Sequence, residues 1–355
     1  MTKSATPAII TGLFRNMKTK AAVLRNIGGP LVIEELEVPK LEKGQVLVKI
    51  FYSGLCRSNV NEINGRKGKE FIPHLTGHEA SGEVIDVGDG ITKVKTGDYV
   101  VCSWIKGAGL NSSGVKYQSD IGIVNAGSAA TFCEYAVISE NRLVKIPKGI
   151  NPEVASLLGC AVPTGAGIID SNTMGFTHKL AVFGIGGIGA SALMRAASRG
   201  VECIAFDVVP WKLRWARRNI LVEAIDANNV LYLYDLGELY GGFFDFAIEC
   251  SGSKVAMETA FKCLKNNGTA IIAGNLEPGE KISIDPYDLV KGKKICGSWG
   301  GGCFLDRDIP FYASEYLEGN FPIEKLITKI YPFDNINEGI KDLEAGRLIR
   351  GVVKI

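Results

Sequence analysis

Hydrophobic and polar residues alternate in short runs over the first part of the chain, and this pattern predicts β-strands. The runs KTKAAVLRN, LVIEELEVP and QVLVKIFYSG, which begin at about residue 18, are of this kind, and a Gly-Gly-Pro turn separates the first two. Such alternation is typical of strands that bury one face. Helical periodicity is weak in this region. We therefore predict an antiparallel, partly barrel-like, β-rich domain here.

The pattern changes after about residue 150, where strand-length apolar runs alternate with stretches of helical periodicity. The segments FDFAIECSG, GTAIIAGN and KKICGSWGG have the composition of buried strands, and a helix is predicted over about residues 253–264. This alternation is typical of βαβ units around a parallel sheet. From about residue 302 onward, two helical stretches precede a closing strand, RGVVKI, which we expect to fold back onto the first domain.

One stretch of this second part, Leu180–Asp207, has the order that a dinucleotide-binding βαβ unit requires. A short strand leads into a glycine-rich turn, an alanine-rich helix follows, and a second strand ends in an acid. The glycines allow a tight turn, close approach of a pyrophosphate, and close packing of helix on strand. Phosphates then bind to free N–H groups at the positive end of the helix dipole. The candidate phosphate-binding residues are Gly184, Gly186, Gly187 and Gly189.

The acid that ends the second strand, Asp207, indicates which dinucleotide is bound. A carboxylate there accepts hydrogen bonds from the adenine ribose hydroxyls and repels a 2′-phosphate, which favours NAD over NADP. Lys212 weakens this preference, because a nearby cation would help to hold a phosphate. The predicted architecture is α/β, with a discontinuous β-rich domain of residues 1–162 and 302–355 and a doubly wound Rossmann domain of residues 163–301.

Composition and charge limit the possible function classes. With 355 residues the chain is long enough for two domains with their own cores. Its net charge of +2 and its short apolar runs argue against nucleic acid or a membrane as partners. Its nine cysteines are scattered through apolar runs, which indicates a reducing cytoplasm rather than a disulfide scaffold. Residues 1–16 lack signal-peptide architecture and are interpreted as an extension.

Three residues that can ligate a metal lie far apart in the sequence, namely Cys56, His78 and Cys160. Two thiols and an imidazole are a suitable donor set for zinc. Each residue also has a structural explanation, because cysteines are often buried as small apolar residues and a histidine near a strand is often hydrogen-bonded in the core. Their spacing alone leaves both interpretations open.

Four motifs in this order resemble those of the zinc-dependent alcohol dehydrogenase branch of the medium-chain dehydrogenase/reductase family. They are Cys56-Arg57-Ser58, Gly77-His78-Glu79, Gly159-Cys160 followed by Pro163-Thr164-Gly165, and GIGGIG with Asp207. The resemblance covers the chain from about residue 18 to its end. It implies a GroES-like β-rich catalytic domain beside the Rossmann domain, with the active site in the cleft between them.

The resemblance also implies roles for individual residues. Cys56, His78 and Cys160 match the three ligands of a catalytic zinc whose fourth position holds water or the substrate oxygen. Glu79 matches an acid close to the metal, and Ser58 matches a hydroxyl that hydrogen-bonds the substrate oxygen and begins a proton relay. The remaining matches are Thr164 beside the nicotinamide, Arg57 and Arg350 near the pyrophosphate, and Trp104 in the wall of the substrate pocket.

This sequence departs from the family pattern in three places. Asn61 stands where many relatives have a relay histidine, and an amide cannot take up a proton. Asn59 stands where an aspartate commonly supports the zinc-binding histidine, so that histidine should be a weaker ligand. Residues 102–131 are rich in glycine, serine and asparagine and are predicted to form a long loop. Its lobe from Trp104 to Ala130 contains no cysteine, so we expect no structural zinc.

These inferences together predict an NAD-linked, zinc-dependent alcohol dehydrogenase with one catalytic zinc. Hydride would pass between an alcohol carbon and NAD, with an aldehyde or ketone as the other product. The alternatives are a polyol or sugar dehydrogenase of the same family, a zinc-free reductase on the same fold, and an inactive NAD-binding relative. The resemblance implies a homodimer or homotetramer whose small-molecule partner is an alcohol or carbonyl substrate.

Overall fold

The computed structural model describes residues 17–228 and 242–355, which form a barrel and two sheets with helices around them. The strands are β1 (Lys18–Leu24), β2 (Leu31–Glu37), β3 (Gln45–Leu55), β4 (His74–Leu75), β5 (Glu79–Val87), β6 (Tyr99–Ser103), β7 (Lys116–Ser119), β8 (Gly122–Ala126), β9 (Tyr135–Ser139), β10 (Leu143–Lys145), β11 (Lys179–Phe183), β12 (Glu202–Asp207), β13 (Glu223–Asp226), β14 (Phe244–Glu249), β15 (Leu264–Ile272), β16 (Lys294–Gly297), β17 (Ile327–Pro332) and β18 (Arg350–Lys354). The helices are α1 (Arg57–Ile63), α2 (Pro152–Leu157), α3 (Ala161–Ser171), α4 (Gly187–Ser198), α5 (Pro210–Asn219), α6 (Lys254–Lys262), α7 (Pro286–Val290), α8 (Leu305–Leu317) and α9 (Ile336–Glu344). Within this part of the chain, no helix has the length and apolar character needed to cross a membrane.

The first part of the chain is β-rich, as its alternating pattern predicts. Strands β1, β2, β7, β8 and β4 form a closed barrel. Beside it lies a sheet in the order β10-β6-β5-β3-β18-β17, and β9 also pairs with β3. The central strand β3 is antiparallel to β5, β9 and β18. The predicted GroES-like, antiparallel architecture is therefore confirmed for this part of the chain.

The segment of residues 102–131 contains a β-hairpin, so the prediction of an irregular loop over its whole length is wrong. Strands β7 and β8 pair antiparallel, and β8 pairs with β4 to close the barrel. Tyr117 and Val124 of this hairpin are buried in the barrel core. Each strand has only four or five residues, and runs of that length between polar residues are too short to show a clear period.

The second sheet has six parallel strands in the order β13-β12-β11-β14-β15-β16. The chain moves outward from β11 in one direction and then returns to continue from β14 in the other, which is the doubly wound Rossmann arrangement. In such sheets a crevice opens at the carboxyl ends of the two strands where the direction reverses, here β11 and β14. The predicted Rossmann fold is confirmed.

The end of the chain returns to the first sheet, where β18 lies antiparallel to β3 and parallel to β17. The bounds 162/163 and 301/302 of the two predicted domains stay a prediction. Helices α3 and α4 pack directly against each other. A Cβ on Gly165 of α3 would lie 2.2 Å from the carbonyl oxygen of Ile188 and 2.7 Å from Cβ of Ser191, both on α4. Only glycine permits this close approach.

Candidate active site

Four side chains that can ligate a metal converge at one point. Cys56, His78, Glu79 and Cys160 each offer one ligand atom, and these atoms all lie within 4.8 Å of one another. Cys56, Glu79 and Cys160 are buried, and His78 is half-buried. In the described ranges 17–228 and 242–355, this is the one group of three or more such residues that can hold a metal ion. The fold therefore gathers residues that are widely separated in sequence.

Each of the four residues stands at the end of a regular element. Cys56 is the N-cap of α1, His78 directly precedes β5, Glu79 is the first residue of β5, and Cys160 is the N-cap of α3. Tight packing holds the junction of these elements, because a Cβ on Gly159 would lie only 2.9 Å from Cα of Glu79. Side chains at the ends of packed elements are held more rigidly than side chains in loops.

The two thiols of the cluster influence each other's ionisation. A hydrogen bond from Cys160 holds the pKa of Cys56 well below its usual range against the effect of burial, and His78 acts in the same direction. The same hydrogen bond and burial raise the pKa of Cys160, while Trp104 and Thr164 act in the opposite sense. The two sulfur atoms thus share one hydrogen bond, which stabilises a negative charge on the pair. A bound divalent cation favours the thiolate form of both.

The chemistry of this donor set fits zinc. Two thiolates and one imidazole are the ligands of one class of catalytic zinc sites, in which the fourth position is left for water or substrate. Magnesium and calcium prefer oxygen ligands, so the two sulfur atoms argue against them. Cys56, His78 and Cys160 would hold the ion, and Glu79 would lie beside it.

Asn59 lies behind the histidine of this cluster and is fully buried. Its Oδ1 accepts a hydrogen bond from the Cys56 N–H at 2.9 Å, and its Nδ2 is 3.5 Å from Nδ1 of His78. The amide is therefore held by the start of α1 and faces the imidazole. A neutral amide here gives His78 less electron density than a carboxylate would.

Glu79 connects the cluster to the second half of the site. Its carboxylate forms an ion pair with Arg350, and its Oε2 accepts a hydrogen bond from the Ala161 N–H at 3.3 Å. Arg350 is itself buried and lies against the glycine turn, since a Cβ on Gly187 would be 2.3 Å from Cδ of Arg350. One guanidinium group thus contacts both the metal cluster and the candidate pyrophosphate site.

The predicted proton-relay residues lie on or next to α1. Ser58 is exposed, and its hydroxyl oxygen is 3.6 Å from Sγ of Cys56. Asn61 is half-buried on the same helix. Thr164 is buried on α3, and its N–H donates to the Cys160 carbonyl at 3.0 Å. Ser58 thus lies next to Cys56, and Thr164 lies next to Cys160. The predicted contacts of Ser58 with the substrate and of Thr164 with the nicotinamide stay predictions.

An aromatic pair stands beside the cluster. The rings of Trp104 and Trp299 meet edge to face, with their centroids 5.1 Å apart. Trp299 is 84% exposed, so an apolar ring lies open to solvent next to the predicted substrate pocket. Sequence reasoning missed Trp299, and the one signal for it was a tryptophan among the glycines of GSWGGG.

The glycine turn has the geometry that its sequence predicts. Gly184 has a positive φ of 93°, which favours glycine. A Cβ on Gly189 would lie 1.9 Å from the Gly184 carbonyl oxygen, so helix and strand meet too closely for a side chain. In contrast, a Cβ on Gly186 would meet no atom within 4 Å. Protein packing therefore does not require glycine at Gly186, and the open space suits a ligand that approaches the backbone.

Polar groups surround this turn. The carboxylate of Asp207 accepts hydrogen bonds from the N–H groups of Ile185 at 2.6 Å and Val209 at 2.9 Å. Burial lowers the pKa of Lys212. The negative charge of Asp207 raises this pKa, and the positive charge of Arg57 lowers it further. Arg57 and Lys212 therefore lie within electrostatic range of each other at the predicted nucleotide site.

Glu249, at the end of β14, is a further residue that sequence reasoning missed. It is fully buried, and its Oε1 accepts hydrogen bonds from the N–H groups of Ser251 at 2.7 Å and Gly252 at 2.9 Å. Burial raises its pKa. A Cβ on Gly184 would lie 2.9 Å from the Ser251 nitrogen, so Glu249 shapes the turn that packs against the glycine turn. An acid at the end of an apolar strand was its only sequence signal.

Comparison with known families and proteins agrees with this geometry. Residues 42–148 match the alcohol dehydrogenase GroES-like domain, and residues 187–315 match the zinc-binding dehydrogenase family. The S-(hydroxymethyl)glutathione dehydrogenase of Komagataella pastoris is 30% identical, with 95% of this chain and 97% of the relative covered. The NDMA-dependent alcohol dehydrogenase of Amycolatopsis methanolica is 34% identical, with 95% and 99% covered.

Solved structures show the same likeness. The benzyl alcohol dehydrogenase of Acinetobacter calcoaceticus superimposes with a TM-score of 0.86 at 27% identity, with 96% of this chain and 99% of that chain covered. An alcohol dehydrogenase zinc-binding domain protein from Burkholderia ambifaria superimposes with a TM-score of 0.88, also at 27% identity, with 96% and 100% covered. The whole described fold, rather than one domain, is therefore shared.

Proposed function

This chain belongs to the zinc-dependent alcohol dehydrogenase branch of the medium-chain dehydrogenase/reductase family, and we propose that it interconverts an alcohol and its aldehyde or ketone with NAD. The observation that carries this proposal is the convergence of Cys56, His78 and Cys160, with Glu79, within 4.8 Å. A zinc-free reductase would have no need for this donor set. An acidic third ligand would favour the polyol enzymes, whereas this chain has Cys160.

In this proposal, zinc and NAD carry out the chemistry, and residues of the chain handle the proton that the alcohol loses. When present, zinc supplies Lewis-acid polarisation of the substrate oxygen and NAD supplies the hydride acceptor. Ser58, with its hydroxyl 3.6 Å from Cys56 Sγ, is placed to accept the proton of the alcohol hydroxyl. Asn61 has no titratable group, so the exposed Ser58 passes this proton directly to water.

Coenzyme choice in this proposal depends on Asp207. The residue ends β12, which is where an acid binds the hydroxyls of the adenine ribose in a Rossmann domain. Its carboxylate already accepts the Ile185 N–H on the glycine turn, which fixes its position. Arg57, Lys212 and Arg350 then place positive charge around the pyrophosphate. We propose NAD for this reason.

The decisive experiment measures zinc per chain by elemental mass spectrometry, together with NAD-linked oxidation of a panel of alcohols and polyols. We expect about one zinc per chain, as one three-ligand site requires. Cys56→Ser should lose both the zinc and the activity, while the matched control Cys296→Ser, at an exposed cysteine outside the cluster, should keep both. Near-zero zinc in protein that still binds NADH would refute the metal mechanism. A loaded enzyme that oxidises no alcohol would indicate an inactive relative.

We also propose that the protein is a cytoplasmic homodimer or homotetramer. All nine cysteines are unpaired, which suits a reducing compartment. Strand β16 is the last strand of its sheet, and a free strand edge is a ready surface for pairing with a second copy. Light scattering after size-exclusion chromatography tests the oligomer, and a mass of one chain would refute it.

A further inference from the structure

We propose that a cavity beside the cluster binds a carboxylate carried by the substrate, so that the preferred alcohols and carbonyls are anionic. This inference rests on the proposed function and names its substrate class. The cavity has a volume of about 150 Å³, and the residues that matter for its chemistry are Lys67, His74, Trp104 and Arg142 with the segment 127–130.

The cavity is adjacent to the proposed reaction site. Gly77, which directly precedes His78, lines it. Trp104 lines it as well, and the hydroxyl of the neighbouring Ser103 donates to the carbonyl of Gly159, the residue before Cys160, at 2.7 Å. The cavity therefore lies beside the segments that carry His78 and Cys160, with the Trp104 ring in its wall. A substrate with its oxygen at the cluster can extend a second group past this ring.

Arg142 is a half-buried cation without an acidic partner. Its guanidinium donates to the carbonyl oxygen of Trp104, but in the described part of the chain its buried Nε–H has no hydrogen-bond partner. Burial lowers its pKa, because the charged form is poorly solvated there. An unpaired charge in such surroundings is costly, and an anionic ligand would remove this cost.

The other ionisable groups around the cavity leave this positive charge unbalanced. Lys67 forms an ion pair with Glu62, and Nε2 of His74 lies 3.4 Å from the same carboxylate. Burial and the charge of Lys67 lower the pKa of His74 to about 4, so His74 is neutral at pH 7. The opposite charges of Lys67 and Glu62 cancel, so the positive charge of Arg142 remains unbalanced.

The backbone and the size of the cavity restrict the ligand further. The N–H groups of residues 127–130 donate no hydrogen bond to the described protein, and these residues line the cavity. Such N–H groups are suitable donors for carboxylate oxygens. A cavity of about 150 Å³ has room for a carboxylate together with a short alkyl chain.

The test compares ω-hydroxycarboxylates of two to six carbons with n-alkanols of the same length. We expect the ratio of kcat/KM for carboxylate over alkanol to be largest at one chain length, by about tenfold or more, as expected for a charge-assisted hydrogen bond. Arg142→Met should abolish this preference, and Arg142→Lys should keep part of it. The exposed Lys69 is the matched control, and Lys69→Met should keep the full ratio. A variant that merely damages the protein lowers both rates and leaves the ratio unchanged.

A binding measurement separates this proposal from the proposed function. Calorimetric titration of the purified enzyme with butyrate should show binding that weakens about tenfold in Arg142→Met. If no alcohol is oxidised but butyrate binding still depends on Arg142, the proposed function fails and the carboxylate site stands. Butyrate binding that is identical in the wild type and Arg142→Met, or a carboxylate preference that survives the substitution, overturns the carboxylate site. Should Arg142→Met fail to fold, Arg142→Gln, which removes the charge but keeps a polar side chain, provides the same comparison.

Discussion

Glu140 provides a sharp test of what holds the cysteine-free lobe of residues 104–130 in place. The residue is fully buried, and its carboxylate accepts three backbone N–H groups. Oε1 accepts those of Thr92 at 2.6 Å and Lys93 at 2.8 Å, and Oε2 accepts that of Leu110 at 2.6 Å. One side chain therefore fixes the cysteine-free segment after β6 to the loop that precedes β6.

Glu140→Gln keeps the shape of the side chain but leaves one acceptor oxygen. With the amide oxygen toward Thr92 and Lys93, its NH₂ group faces the Leu110 N–H, so one bond is lost and two lose their charge assistance. Hydrogen bonds to charged groups contribute about 1.5–3 kcal/mol each, and neutral ones about half as much. We therefore expect the free energy of local opening to fall by about 3–6 kcal/mol.

Hydrogen exchange measured by mass spectrometry reports this opening directly. The amides of residues 92, 93 and 110 should lose protection in Glu140→Gln, while the control Asp120→Asn, at an exposed acid of the same segment, should change nothing. Burial alone would raise the pKa of Glu140, but the hydrogen bonds from Leu110, Thr92 and Lys93 outweigh it and lower the pKa. The stabilisation is thus fully present above the ordinary glutamate pKa of about 4.3 and is lost as the pH falls through the lowered value. Unchanged protection in Glu140→Gln, or an equal loss in the wild type on adding a chelator, would refute the reasoning.

Three further predictions test the two halves of the site. Gly165→Ala should force α3 and α4 apart and cost about 1–3 kcal/mol of stability, seen in thermal unfolding and weaker NADH binding, whereas Gly175→Ala, with no atom within 4 Å of the added Cβ, should be neutral. Asp207→Asn should reduce the preference for NAD over NADP by about tenfold in kcat/KM, because the repulsion of a 2′-phosphate is removed; an unchanged ratio would contradict the assignment. Asn59→Asp should slow zinc loss to a chelator by about tenfold, because a carboxylate strengthens His78 as a ligand; an equal or faster loss would show that the amide is the better support.

Most of the fold could be predicted because most of its strands and helices are indicated by patterns within a few neighbouring residues. Alternation identified β1 to β3, and the strand–turn–helix–strand order identified β11, α4 and β12. The hairpin β7–β8 was missed because its two short strands are defined by their partners in the barrel rather than by their own sequence. Pairing with a distant strand leaves no signal in a window of ten residues.

The site was less accessible to residue-by-residue reasoning. Cys56, His78 and Cys160 meet only because β3, β5 and the start of α3 pack together, so their spacing left the question open and only the family resemblance selected them. Arg142 gave no signal and Trp299 only a weak one, because both matter through contacts with Trp104, which is distant in sequence.

The return of the chain to its first sheet is part of the active site rather than a detail of topology. Strand β18 pairs with β3 so that Gly351 lies opposite Leu55, the residue before Cys56. This register brings the neighbouring Arg350 to Glu79 on one side and to Gly187 of the glycine turn on the other. The last strand therefore supplies a cation that lies against both halves of the site. If Arg350 binds the coenzyme pyrophosphate as proposed, the pyrophosphate must compete with Glu79 for it, and we expect nucleotide binding to alter the surroundings of the metal.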